Sequence, residues 1–475
     1  MNSCTALSLL LIKKVKMNII KNSDSRVTNI INKKKLSETA EYRLSLFTYL
    51  YSVKGRCLIR NTFTFEVTEL TEKEWNAVQL VKAAPVNYDF IVENGLEQLA
   101  LSRYIVEIDY DEIQQYQQAV FLIKTMAGNK KGLSSYVIFP TTGCNARCVY
   151  CYEEGYTVKT MTTDTANRLV DYICETRYNS TVKLRWFGGE PLANAKIISH
   201  ICSSLQERGV PYKSSMVTNA SLLTKELAHE AKELWHLKKV QVSLDGSKAD
   251  YTIRKNYYNP EKHNYDVVMK AIHYFSDEGI KVNMRVNVDF DNIADIPDFL
   301  LEIKAEFGDM ENISMYIAPL FQVKHSERCL ELYKEIFRLT DLQKKIGIPA
   351  NLNADHKAVR LRMNYCMADT MDKSVVITPD GVLYNCEHLP EAQTWGNIFD
   401  GVIDKAKFDE MSKAPKIDEQ CSKCPFLPEC TPFYKNGCPG WFEKCYEYHC
   451  KKTEYAMHSL LEGVNTETDD DDEEI

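Results

Sequence analysis

Three cysteines, Cys144, Cys148 and Cys151, fall within the stretch PTTGCNARCVYCYEEG, spaced C-x3-C-x2-C. Thiolates are soft metal ligands, and spacing this short lets three of them converge on one metal group from a single loop. Three ligands leave one iron of a 4Fe–4S cluster without a protein ligand. An open coordination position is what catalysis needs and what a closed structural site lacks. A three-cysteine zinc site completed by a remote His would use the same residue types, and spacing alone leaves both open.

A second cysteine field follows. Cys366 is separated by 14 residues from Gly381, which is separated by four from Cys386; then come Cys421-x2-Cys424-x5-Cys430-x7-Cys438, Cys445 and Cys450. Eight thiolates suffice for two further four-iron clusters. They suffice equally for a pair of structural zinc sites, because C-x2-C is also zinc chemistry. Glu387 follows Cys386 directly, and a carboxylate beside a cluster could accept a proton. The bland reading of Glu387 is a solvated side chain. The five scattered cysteines of the total of 16, Cys4, Cys57, Cys174, Cys202 and Cys329, are expected to be small buried hydrophobes.

The elements that must position these residues are legible in the hydrophobic pattern. Strands are expected at Ser135–Pro140, Val182–Gly188, Ser214–Asn219, Val240–Leu244, Val282–Val288 and Ile313–Ala318, with helices between them, for instance Thr163–Thr176 and Ser221–Leu237. Six strand–loop–helix units predict an α/β fold: a partial (β/α)6 barrel with a parallel sheet inside and helices outside. In such barrels chemistry sits at the C-terminal ends of the strands, and the polar residues cluster there. The second strand ends in WFGGEP (Gly188, Gly189, Glu190), the third in Thr218-Asn219, and the fourth in VSLDG (Ser243, Asp245) with Arg254 beyond; the fifth ends in MRVNVD. Taken singly, each is a capped or satisfied turn residue.

The expected organisation is residues 1–39 as a solvated or mis-started N-terminus and 40–130 as a small α+β domain. The partial barrel spans 131–350, a cysteine-rich domain 351–455, and a helix end with the acidic tail 456–475. In the α+β domain, Arg56–Leu70 alternates like a hairpin, Thr71 opens a helix with a capping box, and Tyr104–Ile108 is a short strand. The cysteine-rich domain is poor in aliphatic residues, and metal binding can supply the folding free energy it lacks. The N-terminal Lys- and Asn-rich stretch and the tail TETDDDDEEI read as solvated ends, and Met17 offers an alternative start.

With 475 residues the chain is long enough for two or three domains, and its net charge of -8 argues against a nucleic-acid surface. No apolar run approaches the roughly 20 residues that cross a bilayer, and the lysines at 13, 14 and 16 follow the apolar stretch Ala6–Ile12 instead of preceding it. The expectation is a cytoplasmic protein with neither nucleic acid nor membrane as partner. Clustered cysteines in a reducing compartment read as metal ligands.

On the C-x3-C-x2-C loop after the first strand, with Tyr150 in the aromatic place before the third cysteine, the chain resembles the radical S-adenosylmethionine (radical SAM) superfamily. The resemblance implies that Cys144, Cys148 and Cys151 hold a 4Fe–4S cluster whose open iron chelates S-adenosylmethionine. One electron would then cleave that cosubstrate to a 5′-deoxyadenosyl radical. It implies that Gly188, Gly189, Glu190, Thr218, Asn219, Ser243, Asp245 and Arg254 surround the cosubstrate, with Glu190 on its amino group and Arg254 on its carboxylate. The second cysteine field resembles the SPASM extension of peptide-modifying members, except that TPFYKNG puts seven residues before Cys438 where the family has three. That resemblance assigns Cys366, Cys386 and Cys438 to one auxiliary cluster and Cys421, Cys424 and Cys430 to a second. One of Cys445 and Cys450 completes the second, Cys450 being favoured, and the other is available to the first. It also casts Glu387 as a base, by similarity to the sulfatase-maturing enzymes. Residues 40–130 loosely resemble the leader-peptide recognition domain of peptide maturases, the alternative being a plain support domain. The implied function is modification of a peptide or protein side chain, with a low-potential flavodoxin or ferredoxin as electron donor. The rivals are a formylglycine-generating sulfatase maturase and a non-catalytic iron–sulfur electron-transfer or scaffold protein.

Overall fold

A computed structural model of the chain describes residues 17–32, 35–53, 55–126, 132–178, 181–320, 328–349, 361, 373–388, 394–412, 417, 419–429 and 445–461. Six strands stand where the pattern places them: Ser135–Ile138, Val182–Trp186, Tyr212–Thr218, Leu237–Leu244, Lys281–Val288 and Ile313–Pro319. They lie side by side in chain order, each parallel to the next. Among the described residues the first and sixth do not pair, so the barrel is open.

The period-two pattern explains the two faces. On the second strand Leu184 and Trp186 are buried in the core under the helices, while Arg185 between them is only partly buried. The helix Thr163–Thr176 buries Ala166, Leu169, Val170 and Ile173, an i, i+3, i+4, i+7 stripe. Thr162 caps it by accepting from the Thr165 N–H. The helix expected over Ser221–Leu237 is shorter, Lys225–Glu233, because Thr224 supplies the N-cap and Ser221 is held in the turn by Asn219.

The sheet continues past the six expected strands. Ser374–Ile377 adds in parallel to the outer edge of Ser135–Ile138 and turns back as the hairpin strand Val382–Tyr384. The cysteine-rich region is therefore continuous with the barrel sheet. Gly381 sits in that hairpin turn at φ +82°, and a Cβ there would meet Ile398 Cγ1 at 2.9 Å, so only glycine fits.

The N-terminal unit has a four-stranded sheet, ordered Asn18–Lys21, Val67–Leu70, Arg56–Asn61, Thr48–Val53, and a three-stranded sheet of Val86–Asn87, Glu41–Leu44 and Ile105–Glu107. The helix Glu72–Ala83 starts on the expected capping box, with both reciprocal bonds between Thr71 and Glu74 present. The reading of the N-terminus as a solvated end fails for residues 18–31. Asn18–Lys21 pairs with Val67–Leu70, and Ser25–Ile31 is a helix that Asp24 caps and that buries Val27 and Ile31. Two apolar residues four apart behind a capping Asp are a small signal inside a Lys- and Asn-rich stretch.

This unit docks on the cysteine-rich region. Arg60 pairs with Glu429, both nearly buried; Thr62 bonds the Pro425 carbonyl; and the Tyr49 and Phe426 rings lie 5.5 Å apart. Asp24 accepts from the Leu361 N–H at 2.8 Å. Among the described residues no helix is long and apolar enough to cross a membrane.

Candidate active site

The cysteine loop leaves the C-terminal end of the first strand and is bolted down on two sides. On one side the second strand tip donates backbone hydrogen bonds to it, from Gly189 N–H to Thr141 O (3.2 Å) and from Glu190 N–H to Gly143 O (2.9 Å). A Cβ on Gly188 would stand 2.4 Å from Thr141 O, and one on Gly189 2.4 Å from Gly143 O. The two glycines are thus needed for the loop to lie against the strand tip. On the other side the loop meets the end of the helix Lys248–Lys255. Arg147 N–H bonds Asn256 O, Val149 N–H bonds Arg254 O, and Tyr258 N–H bonds Asn145 O, at 3.0, 3.0 and 3.1 Å.

Within this frame the three thiols are partly buried. Cys144 accepts from the Ala146 N–H and Cys151 from the Glu153 N–H. Burial, then Glu190, pushes the Cys144 thiol up to about 12, with Cys148 and Cys151 adding to it; burial also raises Cys148 and Cys151. Thiols crowded together with N–H donors aimed at their sulfurs gain by binding a cation, which takes their protons. Among the described residues no three His, Cys, Asp or Glu side chains close around a single metal ion. A four-iron cluster takes one cysteine per iron, and three cysteines on one loop fit such a cluster with one iron left open.

Glu190 is fully buried behind the loop. Its carboxylate accepts from Thr218 Oγ1 (2.6 Å), Leu192 N–H (3.0 Å) and Asn219 N–H (2.8 Å). Burial raises its pKa despite these donors. Asn219 Nδ2 donates to Asn145 Oδ1 (2.9 Å) and lies 3.9 Å from Cys144 Sγ. Glu190, Thr218 and Asn219, three of the residues singled out in the sequence, thus meet at one corner.

The opposite corner contains a residue that sequence reasoning missed. Lys255 is 2% exposed, and its ammonium donates to Tyr150 Oη and Ser243 Oγ, both at 2.8 Å, and stands 3.3 Å from Asp245 Oδ2. Asp245 is fully buried, and its other oxygen accepts from Asn287 Nδ2 at 2.9 Å. The next residue in the chain, Arg254, does not stand ready for a carboxylate ligand. It makes a two-pronged bond to Asp289, at 3.2 and 2.8 Å. The Arg254-Lys255 pair in the sequence was the available signal, and only the arginine was read.

The cysteine-rich region contributes the turn after Val382–Tyr384. There Glu387 lies 3.7 Å from Arg185 of the second strand, Tyr156 Oη donates to the His388 carbonyl (2.7 Å), and the His388 ring lies 4.2 Å from that of Tyr152. Cys386 and Glu387 are thereby brought beside the first cysteine loop. Burial, then Glu387, pushes Glu153 of that loop up to about 7. Cys424 N–H bonds Cys421 O at 3.1 Å, and Cys450 lies on the helix Cys445–Leu461. Cys366, Cys430, Cys438 and the side chain of Cys445 lie outside the described residues, as does the acidic tail. Of the scattered cysteines, Cys202 and Cys329 are buried and Cys57 and Cys174 partly so.

Comparison with known proteins agrees with this geometry. The radical SAM superfamily profile matches residues 138–303. The chain is 27% identical over 274 residues to an uncharacterized protein of Methanocaldococcus jannaschii, covering 57% of this chain and 90% of that one. It is 22% identical over 374 residues to the antilisterial bacteriocin subtilosin biosynthesis protein AlbA of Bacillus subtilis, covering 72% and 75%. Among solved structures, anSMEcpe with bound AdoMet, an anaerobic sulfatase-maturing enzyme, superposes with a TM-score of 0.55 at 19% identity, covering 70% of this chain and 99% of that one. The matched segment begins in the strand that leads to the cysteine loop and ends in the helix Ile296–Phe307, so what is shared is the barrel with its cysteine loop, and the chain is an enzyme that carries a radical SAM domain.

Proposed function

We propose that this enzyme modifies a side chain of a peptide or protein, as a maturase of a ribosomally made peptide. The observation that carries the reading is the meeting of the two cysteine fields: the Cys386–His388 turn packs against Tyr152 and Tyr156 of the first cysteine loop. An auxiliary centre beside the radical-generating one suits a reaction that must take up an electron after hydrogen abstraction. The relative AlbA, a bacteriocin biosynthesis protein, aligns over 374 residues, far more than the barrel alone.

Cys144, Cys148 and Cys151 would hold a 4Fe–4S cluster, which when reduced would supply the electron for cleavage of S-adenosylmethionine to the 5′-deoxyadenosyl radical. The backbone of Gly188, Gly189 and Glu190, with Asn219 and Ser243, would hold that cosubstrate. Thr218 orients Glu190, Asp245 orients Tyr150 and Lys255, and Arg254 acts through its pair with Asp289. Cys366, Cys386 and Cys438 would hold one auxiliary cluster and Cys421, Cys424 and Cys430 the other, with Cys450 and Cys445 completing them. Glu387, which lies 3.7 Å from Arg185, would take a substrate proton. The N-terminal unit, domain 40–130 of the sequence reading, offers sheet edges to which a leader peptide could add as a strand. A flavodoxin or ferredoxin would approach over Val149, Ile253 and Tyr258, exposed apolar residues on the two segments that frame the cluster.

The test is anaerobic reconstitution followed by incubation with S-adenosylmethionine, reductant and a leader-bearing peptide encoded beside the gene. About twelve irons per chain, 5′-deoxyadenosine formed faster with the peptide, and a changed peptide mass are the expected results. Formation of 5′-deoxyadenosine with no change in any candidate peptide, but conversion of a sulfatase Cys or Ser to formylglycine, would replace this reading with the sulfatase-maturing one.

A further inference from the structure

The Lys255 corner is built with more care than a turn requires. A lysine 2% exposed, an aspartate 0% exposed and a tyrosine between them form a closed set, and each has its polar atoms occupied by the others or by neutral donors. Tyr150 donates its hydroxyl proton to Asp245 and accepts from Lys255. Asn287 holds the other Asp245 oxygen, and Asn292 Nδ2 donates to the Asp245 backbone carbonyl at 2.7 Å. Burial opposes the lysine's charge, but Asp245 first, then Tyr150 and Cys148, outweigh it and hold the ammonium well above its usual pKa. The charge is therefore permanent.

The position of that charge is what gives it a consequence. Tyr150 stands between Cys148 and Cys151 in the chain, and the helix that ends at Lys255 is tied to the same loop through Val149 N–H and Arg254 O. Lys255 donates to Tyr150 Oη at 2.8 Å and Tyr150 donates to Asp245 in turn, so a buried pair of opposite charges stands beside the cysteine loop. Neither of its members faces solvent, and their hydrogen bonds hold them in place, so the pair needs no reorganisation when charge appears nearby.

We propose that Lys255 is a positioning residue that sets the reduction potential of the cluster held by Cys144, Cys148 and Cys151, with Asp245 as its counter-charge and Tyr150 as the link to the loop. One-electron reduction by a low-potential donor adds one negative charge to the cluster. The potential of such a centre depends on net charge, hydrogen bonding to its sulfurs and solvent exposure. A buried cation beside the centre favours the reduced form, and its counter-ion opposes it. Removing it leaves Asp245 as the uncompensated neighbour and makes reduction harder; neutralising Asp245 makes it easier. The proposal rests on the cluster reading of the three-cysteine loop and is independent of the identity of the substrate.

The experiment is an anaerobic potentiometric titration of reconstituted wild type, K255M, D245N and K255M/D245N, following the electron paramagnetic resonance signal of the reduced enzyme. The cluster concerned is the one whose signal changes when S-adenosylmethionine is added. K255M is expected to lower the equilibrium constant for reduction at least tenfold, which for one electron is about 59 mV. D245N raises it, and the double variant falls between the two. K255R, which keeps the charge, stays near wild type. Potentials unmoved in both single variants, or moved in the same direction as a general loosening of the site would do, overturn the proposal. D245N is nearly isosteric and tests the sign even if K255M does not fold. Absence of any S-adenosylmethionine-responsive signal in wild type would instead overturn the cluster reading, and this inference with it.

Discussion

Two buried carboxylates flank the cysteine loop, and they are kept in different ways. Glu190 has only neutral donors, a hydroxyl and two backbone N–H groups, and its pKa is raised because burial outweighs them. Asp245 has a lysine, a tyrosine hydroxyl and an amide. The first corner holds a carboxylate whose charge the protein only partly supports, next to Cys144. The second holds a charge that is fully compensated, next to Cys148. A barrel can therefore place one acidic residue at each of two strand tips and give them opposite electrostatic character, because donors are drawn from different neighbouring segments.

The contrast can be broken most strongly at Lys255. Stripping a buried ion pair of one partner costs about 3–5 kcal/mol, so K255M should lower the stability of the metal-free protein by that amount in denaturant titrations. K255M/D245N should recover most of it. A double variant as unstable as K255M would mean that packing of the lysine stem matters and the charge does not. On the Glu190 side, G189A comes next. Its Cβ would stand 2.4 Å from Gly143 O and 2.6 Å from Thr142 O, backbone atoms that cannot swing aside. We expect a loss of about 1–3 kcal/mol, together with a fall in the iron retained after reconstitution. Full iron retention would show that the loop can sit farther from the strand tip.

T218V should have a smaller effect. It removes one of three hydrogen bonds to Glu190, about 0.5–1.5 kcal/mol, with the carboxyl still served by two N–H groups. The mildest test is pH. A carboxyl whose folded pKa is raised contributes stability that is complete below its unfolded value and is lost as pH rises through the folded value. The metal-free protein should therefore lose part of its stability through Glu190 as pH rises above the usual carboxylate range. E190Q should show a shallower loss over the same window, and T218V a loss displaced to higher pH. Identical slopes in all three would mean that Glu190 is already ionised throughout.

The six barrel strands and the residues at their tips were legible because each signal is local: a short apolar run, a Gly-Gly before a Glu, three cysteines in one loop. The reason for Gly188 and Gly189 was not legible. Their tight neighbours are the carbonyls of Thr141 and Gly143, more than 40 positions earlier in the chain. Lys255 was missed for the same reason. Nothing around it in the chain marks it as buried, and one of its partners, Tyr150, is 105 positions away. Arg254 beside it was read as a ligand contact, and only its distant partner Asp289 shows that the guanidinium is already engaged. The short strand Ser374–Ile377 carries too few residues to stand out in a cysteine-rich stretch, and it is a strand because Ser135–Ile138 offers it an edge.

What the sequence by itself determined is the chemistry available. Thiolate spacing, turn-forming glycines and hydrophobic period are properties of residues close together in the chain, and they dictate a cysteine loop at the end of a parallel strand. What only the tertiary structure decided is the charge around that loop. Electrostatic energy depends on distance in space and on burial, and the groups that set it here, Lys255, Asp245, Tyr150 and Glu190, come from four separate segments that meet only when the barrel is formed.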